Sequence, residues 1–186
     1  NNQKSERSVS IGVLGTDITL EGPFKEGYGG SYLVNYRYST LELMDKMGIL
    51  DFGGVPRYQD ASFKINLPTK KFGNFSLFGL GGKSGISETQ ESIINDTATV
   101  TGRAEVNDAL GVIGINHNYM LNKDSYIHSY ISISGTKNTL HDEEKDLDTE
   151  KYWDYYTQDF SNTTLRISTS YNLRMNLKHH LLLQVK

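Results

Sequence analysis

The stretch GGSYLVNYRYST, residues 29–40, decides how the rest of the chain is read. Tyr32, Val34, Tyr36 and Tyr38 share one parity; Leu33, Asn35 and Arg37 share the other. Side chains on a strand alternate between its faces, so one face here is aromatic and aliphatic and the other carries an amide and a cation. The segment NTTLRISTSYNLR repeats the pattern more cleanly. Thr163, Leu165, Ile167, Thr169, Tyr171 and Leu173 form one row, while Asn162, Thr164, Arg166, Ser168, Ser170, Asn172 and Arg174 form the other. A packed core cannot hold two guanidinium groups, two amides and several hydroxyls without partners for each donor, whereas solvent can. The opposite row must then meet either a protein core or lipid.

Outward from these two segments, strand-like stretches and turns alternate. SVSIGVLGTDITLEG, residues 8–22, reads as a strand whose phase slips at Leu14–Gly15, as a bulge would make it slip. GPFKEGYGG is a short turn rich in Gly. DASFKINLP sets Ala61, Phe63, Ile65 and Leu67 against Ser62, Lys64 and Asn66. PTKKFGN is a turn, NFSLFGLGG a strand, and VNDALGVIGINHNYML a strand with a second slip near Val112–Ile113. NKDS turns into YIHSYISISG, and a turn near Met175–Asn176 leads into HHLLLQV. Three longer segments, 41–58, 83–103 and 137–158, read as loops, the first with a helical turn at Leu41 to Met47. About eight strands result, joined by connections that alternate short and long.

That rhythm, with strands near the 9–11 residues that cross a bilayer when tilted, points to a transmembrane antiparallel β-barrel. The bulk numbers agree. Only 3 Pro and 18 Gly among 186 residues, with 12 Tyr, favour strands and tight turns. No apolar run reaches the length of a membrane helix, which leaves strands as the only way to span. Tyr28, Tyr32, Tyr36, Tyr38, Tyr119, Tyr126, Tyr130 and Tyr171 lie near strand ends, where interfacial aromatic girdles form. No repeat of 20–50 residues is visible, which disfavours a propeller or solenoid. The opening NNQKSERSVS is no signal peptide, and both ends read as cut, so a fragment of a longer chain is expected.

Chemistry is sparse. Without cysteine there are no disulfides, thiol nucleophiles or thiolate metal sites. A net charge of −3 implies no general attraction to nucleic acid. The five histidines are His117, His128, His141, His179 and His180; the adjacent pair points to opposite faces, and His128 reads as a lumenal surface residue. No HExxH, phosphate-binding loop or nucleophile elbow occurs, so no enzyme activity, metal or cofactor is expected. The acidic run Asp142, Glu143, Glu144, Asp146, Asp148 and Glu150 offers oxygen ligands for Ca²⁺ but lacks the central Gly of an EF-hand, and reads better as a solvated loop. Tyr152, Trp153, Tyr155 and Tyr156 follow it directly and are the candidate ligand-binding residues, able to stack on sugars or peptides or to anchor an interface.

Four motifs, EGPF, SYLVNYRYSTL, YQDASFKINLPT and GNFSLFGLGG, in that order and spacing, resemble the early barrel region of TonB-dependent outer-membrane receptors of Bacteroidetes type, in the group carrying a carboxypeptidase-regulatory-like domain. The resemblance covers residues 11–83; beyond residue 105 it is general barrel pattern. It implies that residues 1–186 form part of a barrel of about 22 strands in the bacterial outer membrane, importing a nutrient without covalent chemistry. It further implies as partners a plug domain, the remaining strands, TonB acting through an N-terminal part not in this sequence, outer-membrane lipid and, in some receptors, a surface lipoprotein. Asn35, Arg37, Lys64, Asn66, Arg166 and Arg174 would face the lumen or plug. Two other readings stay open: a complete small eight-stranded outer-membrane barrel serving as adhesin or structural protein, and a soluble β-sandwich that binds carbohydrate.

Overall fold

The computed structural model describes residues 3–13, 15–41, 44, 47–49, 54, 56–175 and 179–186. They form a single antiparallel sheet of nine strands in sequence order. The strands are β1 (Glu6–Ile11), β2 (Thr16–Pro23), β3 (Ser31–Tyr38), β4 (Arg57–Thr69), β5 (Gly73–Ile94), β6 (Thr97–Asn122), β7 (Ser125–Lys145), β8 (Tyr152–Arg174) and β9 (His180–Val185). Each strand pairs with its neighbours in the chain, which is the least demanding topology for consecutive hairpins.

The sheet carries nine strands rather than about eight because residues 8–22 are a hairpin, not one bulged strand. The phase slip falls where the chain reverses between β1 and β2, and there the Gly12 N–H donates to the Gly15 carbonyl at 2.9 Å. The slip near Val112–Ile113 is not a bulge either: the register runs unbroken through both residues on either side of β6. The bulges lie elsewhere, at Gln90/Glu91, Met120/Asn122 and Asp142/Glu143.

Two of the three expected loops are strands. Residues 83–103 complete β5 and begin β6, reversing at Asn95–Asp96; residues 137–158 belong to β7 and β8 except for the turn around 146–151. They form two long hairpin arms that continue the sheet past the shorter strands. Asn95 and Asp96 have φ of 49° and 60°, the left-handed pair that a two-residue turn requires to match the strand twist. Half of the expected loop at 41–58 lies outside the described residues; Arg57 and Tyr58 already belong to β4. Within it Met44 N–H donates to the Thr40 carbonyl at 3.0 Å, one helix-type bond.

The other end of the sheet is tight. Its described connections are residues 24–30, 70–72 and 123–124, and between β8 and β9 the Met175 N–H donates to the His179 carbonyl at 3.1 Å. Gly73 has φ of +78° at the second of these, and an added Cβ would strike the Asn118 carbonyl.

Leu41 is the only buried large hydrophobic residue among those described. The chain exposes 13355 Å². A compact monomer of 20.9 kDa would expose about 9,000 Å². Roughly a third of the surface is therefore area that a globular fold would have covered.

Candidate functional site

The register sorts side chains onto two faces without reference to composition. One face carries a continuous aliphatic field. Val9 pairs with Ile18, Ile18 with Tyr36, Leu20 with Val34, Val34 with Phe63 and Tyr32 with Ile65. Further along, Leu77, Ile115, Ile131 and Ile167 form one transverse row. Ile113, Ile133 and Leu165 form the next, and Leu165 is 61% exposed.

This field has polar limits. Toward the tight turns it ends in aromatic residues: Phe24 beside Tyr32 at 5.5 Å, Phe75 stacked on His117 at 4.3 Å, and Tyr119 beyond at 6.2 Å. The His117 Nε2–H donates to the Phe72 carbonyl at 2.6 Å, which holds the imidazole flat in the row. Toward the arms it ends at Gln59, Lys83 and Lys137. Ten positions separate Ile127 from Lys137 along β7. At 3.3 Å per residue that is about 33 Å of strand, or about 25 Å of height for a tilt of ~40°. Of the tyrosines expected in girdles, Tyr32, Tyr36, Tyr38, Tyr119 and Tyr171 lie on this face; Tyr126 and Tyr130 lie on the other, opposite Asn172 and Ser168.

The second face holds all six residues expected on the wet side. Asn35 Nδ2 donates to Thr19 Oγ1 at 2.8 Å. Arg37 Nε donates to Asp60 Oδ2 at 2.8 Å, with its guanidinium 5.3 Å from the centre of the Tyr58 ring. Asn66 Oδ1 accepts from Asn74 Nδ2 at 2.8 Å and from Ser76 Oγ at 3.0 Å. Lys64 stands between Leu33 and Phe78, Arg166 opposite Ser132, and Arg174 opposite His180. His128 also lies here, 2.7 Å from Asn118 Oδ1. This face is not uniformly polar. Leu33, Phe78, Leu80, Val112 and Leu110 interrupt it near the middle of the sheet, and Leu80 and Leu110 are exposed. Two sequence signals mark this patch: Leu33 falls on the parity of Asn35 and Arg37, and Val112 and Ile113 are both apolar because both faces of β6 are apolar there.

The four candidate ligand-binding residues on β8, Tyr152, Trp153, Tyr155 and Tyr156, do not make one platform. Tyr152 lies opposite Lys145, its ring 4.5 Å from the Arg103 guanidinium. Trp153 lies opposite Glu144 on the other face, edge-on to Tyr155 at 5.9 Å. Tyr156 donates to Gln158 Oε1 at 3.3 Å.

The arms also assemble a group that sequence spacing does not show. His141 Nε2 is 3.6 Å from Glu143 Oε1 and 3.2 Å from Asp154 Oδ1. The opposite His141 nitrogen, Nδ1, is 3.3 Å from Thr157 Oγ1, and Glu143 Oε2 accepts from Arg103 Nε. That bond holds the Glu143 carboxyl below its ordinary range. Asp146, at the turn, is also held low, by the backbone N–H groups of Thr149 and then Asp148. A larger cavity, about 530 Å³, is lined by Tyr38, Arg57, Lys83, Glu105, Lys137 and Thr139 at the base of the arms.

No known protein family, curated protein or solved structure matches the chain.

Proposed function

We propose that this sheet is a section of the wall of an outer-membrane β-barrel, and that the barrel is a TonB-dependent receptor importing a nutrient. The observation that carries the membrane reading is the uncovered aliphatic field, bounded by aromatics on one side and lysines on the other. Its height of about 25 Å equals the apolar band of outer-membrane barrels. Hydrocarbon satisfies that face, and water satisfies the opposite one. A soluble sandwich would need a second sheet against the field, and the described residues form one. The small-barrel reading needs the first and last strands to pair, whereas each strand's register partners are its neighbours in sequence.

The receptor reading rests on the resemblance of residues 11–83 and on one feature of the inner face. Leu33, Phe78, Leu80, Val112 and Leu110 make an apolar surface that a water-filled pore does not need. A folded plug inside the barrel supplies the partner for it. Asn35, Arg37, Lys64, Asn66, Arg166 and Arg174 then contact the plug or line the path, and the arms meet substrate outside the cell.

Single cysteines at Asn35 and Tyr36 test the facing. A membrane-impermeant maleimide is expected to label the first and spare the second in intact outer membranes. Equal labelling overturns the membrane reading. For transport, loss of the gene is expected to abolish uptake of a nutrient whose uptake also stops when the proton-motive force is dissipated; uptake insensitive to that force refutes the receptor assignment.

A further inference from the structure

We propose that His141, Glu143 and Asp154 form a binding site for a divalent transition metal ion of the Zn²⁺ type on the β7–β8 arm. The three ligand atoms lie within 4.8 Å of one another. Zinc bonds of about 2.0–2.2 Å set neighbouring ligands of a tetrahedron about 3.3–3.6 Å apart. The His141–Asp154 and His141–Glu143 separations, 3.2 and 3.6 Å, already stand near that spacing. One imidazole with two carboxylates leaves a fourth position for water, the ligand set of an open site.

The local backbone explains why these residues converge. His141 and Glu143 are two apart on β7 and share a face. Regular pairing would put Tyr155 opposite Glu143 and turn Asp154 to the other face. The bulge at Asp142/Glu143 leaves Tyr155 unpaired and sets Asp154 opposite Glu143 instead. The outer contacts are also those of a ligand set. Thr157 engages the second imidazole nitrogen, leaving Nε2 turned toward the carboxylates. Arg103 takes Oε2 of Glu143 and leaves Oε1 turned toward His141. The Glu143 side chain is 14% exposed. A cavity of about 400 Å³, lined by Ser87, Arg103, Ala104, Glu105, His141 and Glu143, opens beside the group. Two carboxylates and one arginine leave a negative charge at the site, which favours a cation.

The proposal does not rest on the membrane reading, since the arm projects past the aliphatic field. Its test is isothermal titration of Zn²⁺ into the full-length protein in detergent, with strand content checked in each variant. One equivalent is expected to bind, with affinity falling about 100-fold or more in His141→Ala and at least 10-fold in Asp154→Asn. His117→Ala, His128→Ala and the double change His179→Ala/His180→Ala are expected to leave it unchanged. Absence of binding tighter than millimolar refutes the site. So does binding that survives in His141→Ala, or that disappears only with the His179–His180 pair.

Discussion

Replacing Ile133 with arginine, beside a matched Ser134→Arg on the same strand, tests the assignment of the two faces. The two residues sit at nearly the same depth. Ile133 is one step from the centre of the ten-position interval between Ile127 and Lys137 and pairs with Ile113 and Leu165. Ser134 points the other way, between Val112 and Thr164. If lipid covers the first face, a guanidinium at mid-depth costs about 2–4 kcal/mol. That lowers the folding equilibrium roughly 30- to 700-fold. Without the plug, the Ser134→Arg guanidinium meets water beside Val112 and the Thr164 hydroxyl, and its cost is expected within about 0.5 kcal/mol. In a soluble sheet the 48% exposed Ile133 would itself tolerate arginine at about the same small cost. The assay is reversible guanidinium unfolding of the complete barrel, without its plug, in phospholipid vesicles, followed by circular dichroism of the strands. Equal midpoints for the two variants, or a larger loss for Ser134→Arg, would refute the facing.

Three further outcomes follow from local geometry. Phe63 packs directly over Gly79, leaving no room for a Cβ, while Gly111 has open space with the nearest atom 3.9 Å away; Gly79→Ala is expected to cost about 1–3 kcal/mol and Gly111→Ala much less in the same unfolding assay. At the Asn95–Asp96 turn both φ angles are positive, so Asp96→Val is expected to lose about 1–2 kcal/mol and Asp96→Gly none, read as protease sensitivity of the β5–β6 arm. Asp146 accepts backbone N–H bonds from Asp148 at 2.9 Å and Thr149 at 2.8 Å, which depresses its pKa. Its contribution to the β7–β8 turn is therefore present above the unfolded value of about 3.9 and lost as pH falls through the lower folded value; amide exchange at Asp148 and Thr149 should accelerate on acidification, and Asp146→Asn should flatten that dependence.

The facing of β3 and β8 was legible because one row of each strand is mostly apolar and the other mostly polar, which writes period two into the sequence. Residues 83–103 and 137–158 read as loops in the sequence for the same reason in reverse. Past the aliphatic field both faces of a strand are wet. The alternation then thins while the backbone ladder persists: Ile86, Val106 and Leu140 make one apolar row, and beyond it Thr89 pairs with Arg103, and Arg103 with Glu143. The hairpin at 8–22 escaped because a four-residue turn shifts the phase just as a bulge does. Asn35, Arg37, Lys64, Asn66, Arg166 and Arg174 could be placed on one face from parity alone. The meeting of His141, Glu143 and Asp154 could not, since it depends on which strand position is left unpaired.

The arms give the molecule stiffness where a flexible loop was expected. A chain already locked into a ladder has surrendered its backbone freedom, so capturing a guest at the tip does not require ordering a coil. It also ties the tip to the staves below. From Lys83 to Ile94 is eleven steps, about 36 Å of rod. A rotation of ~5° at the root would carry the far end about 3 Å, enough to break or make a hydrogen bond at the tip.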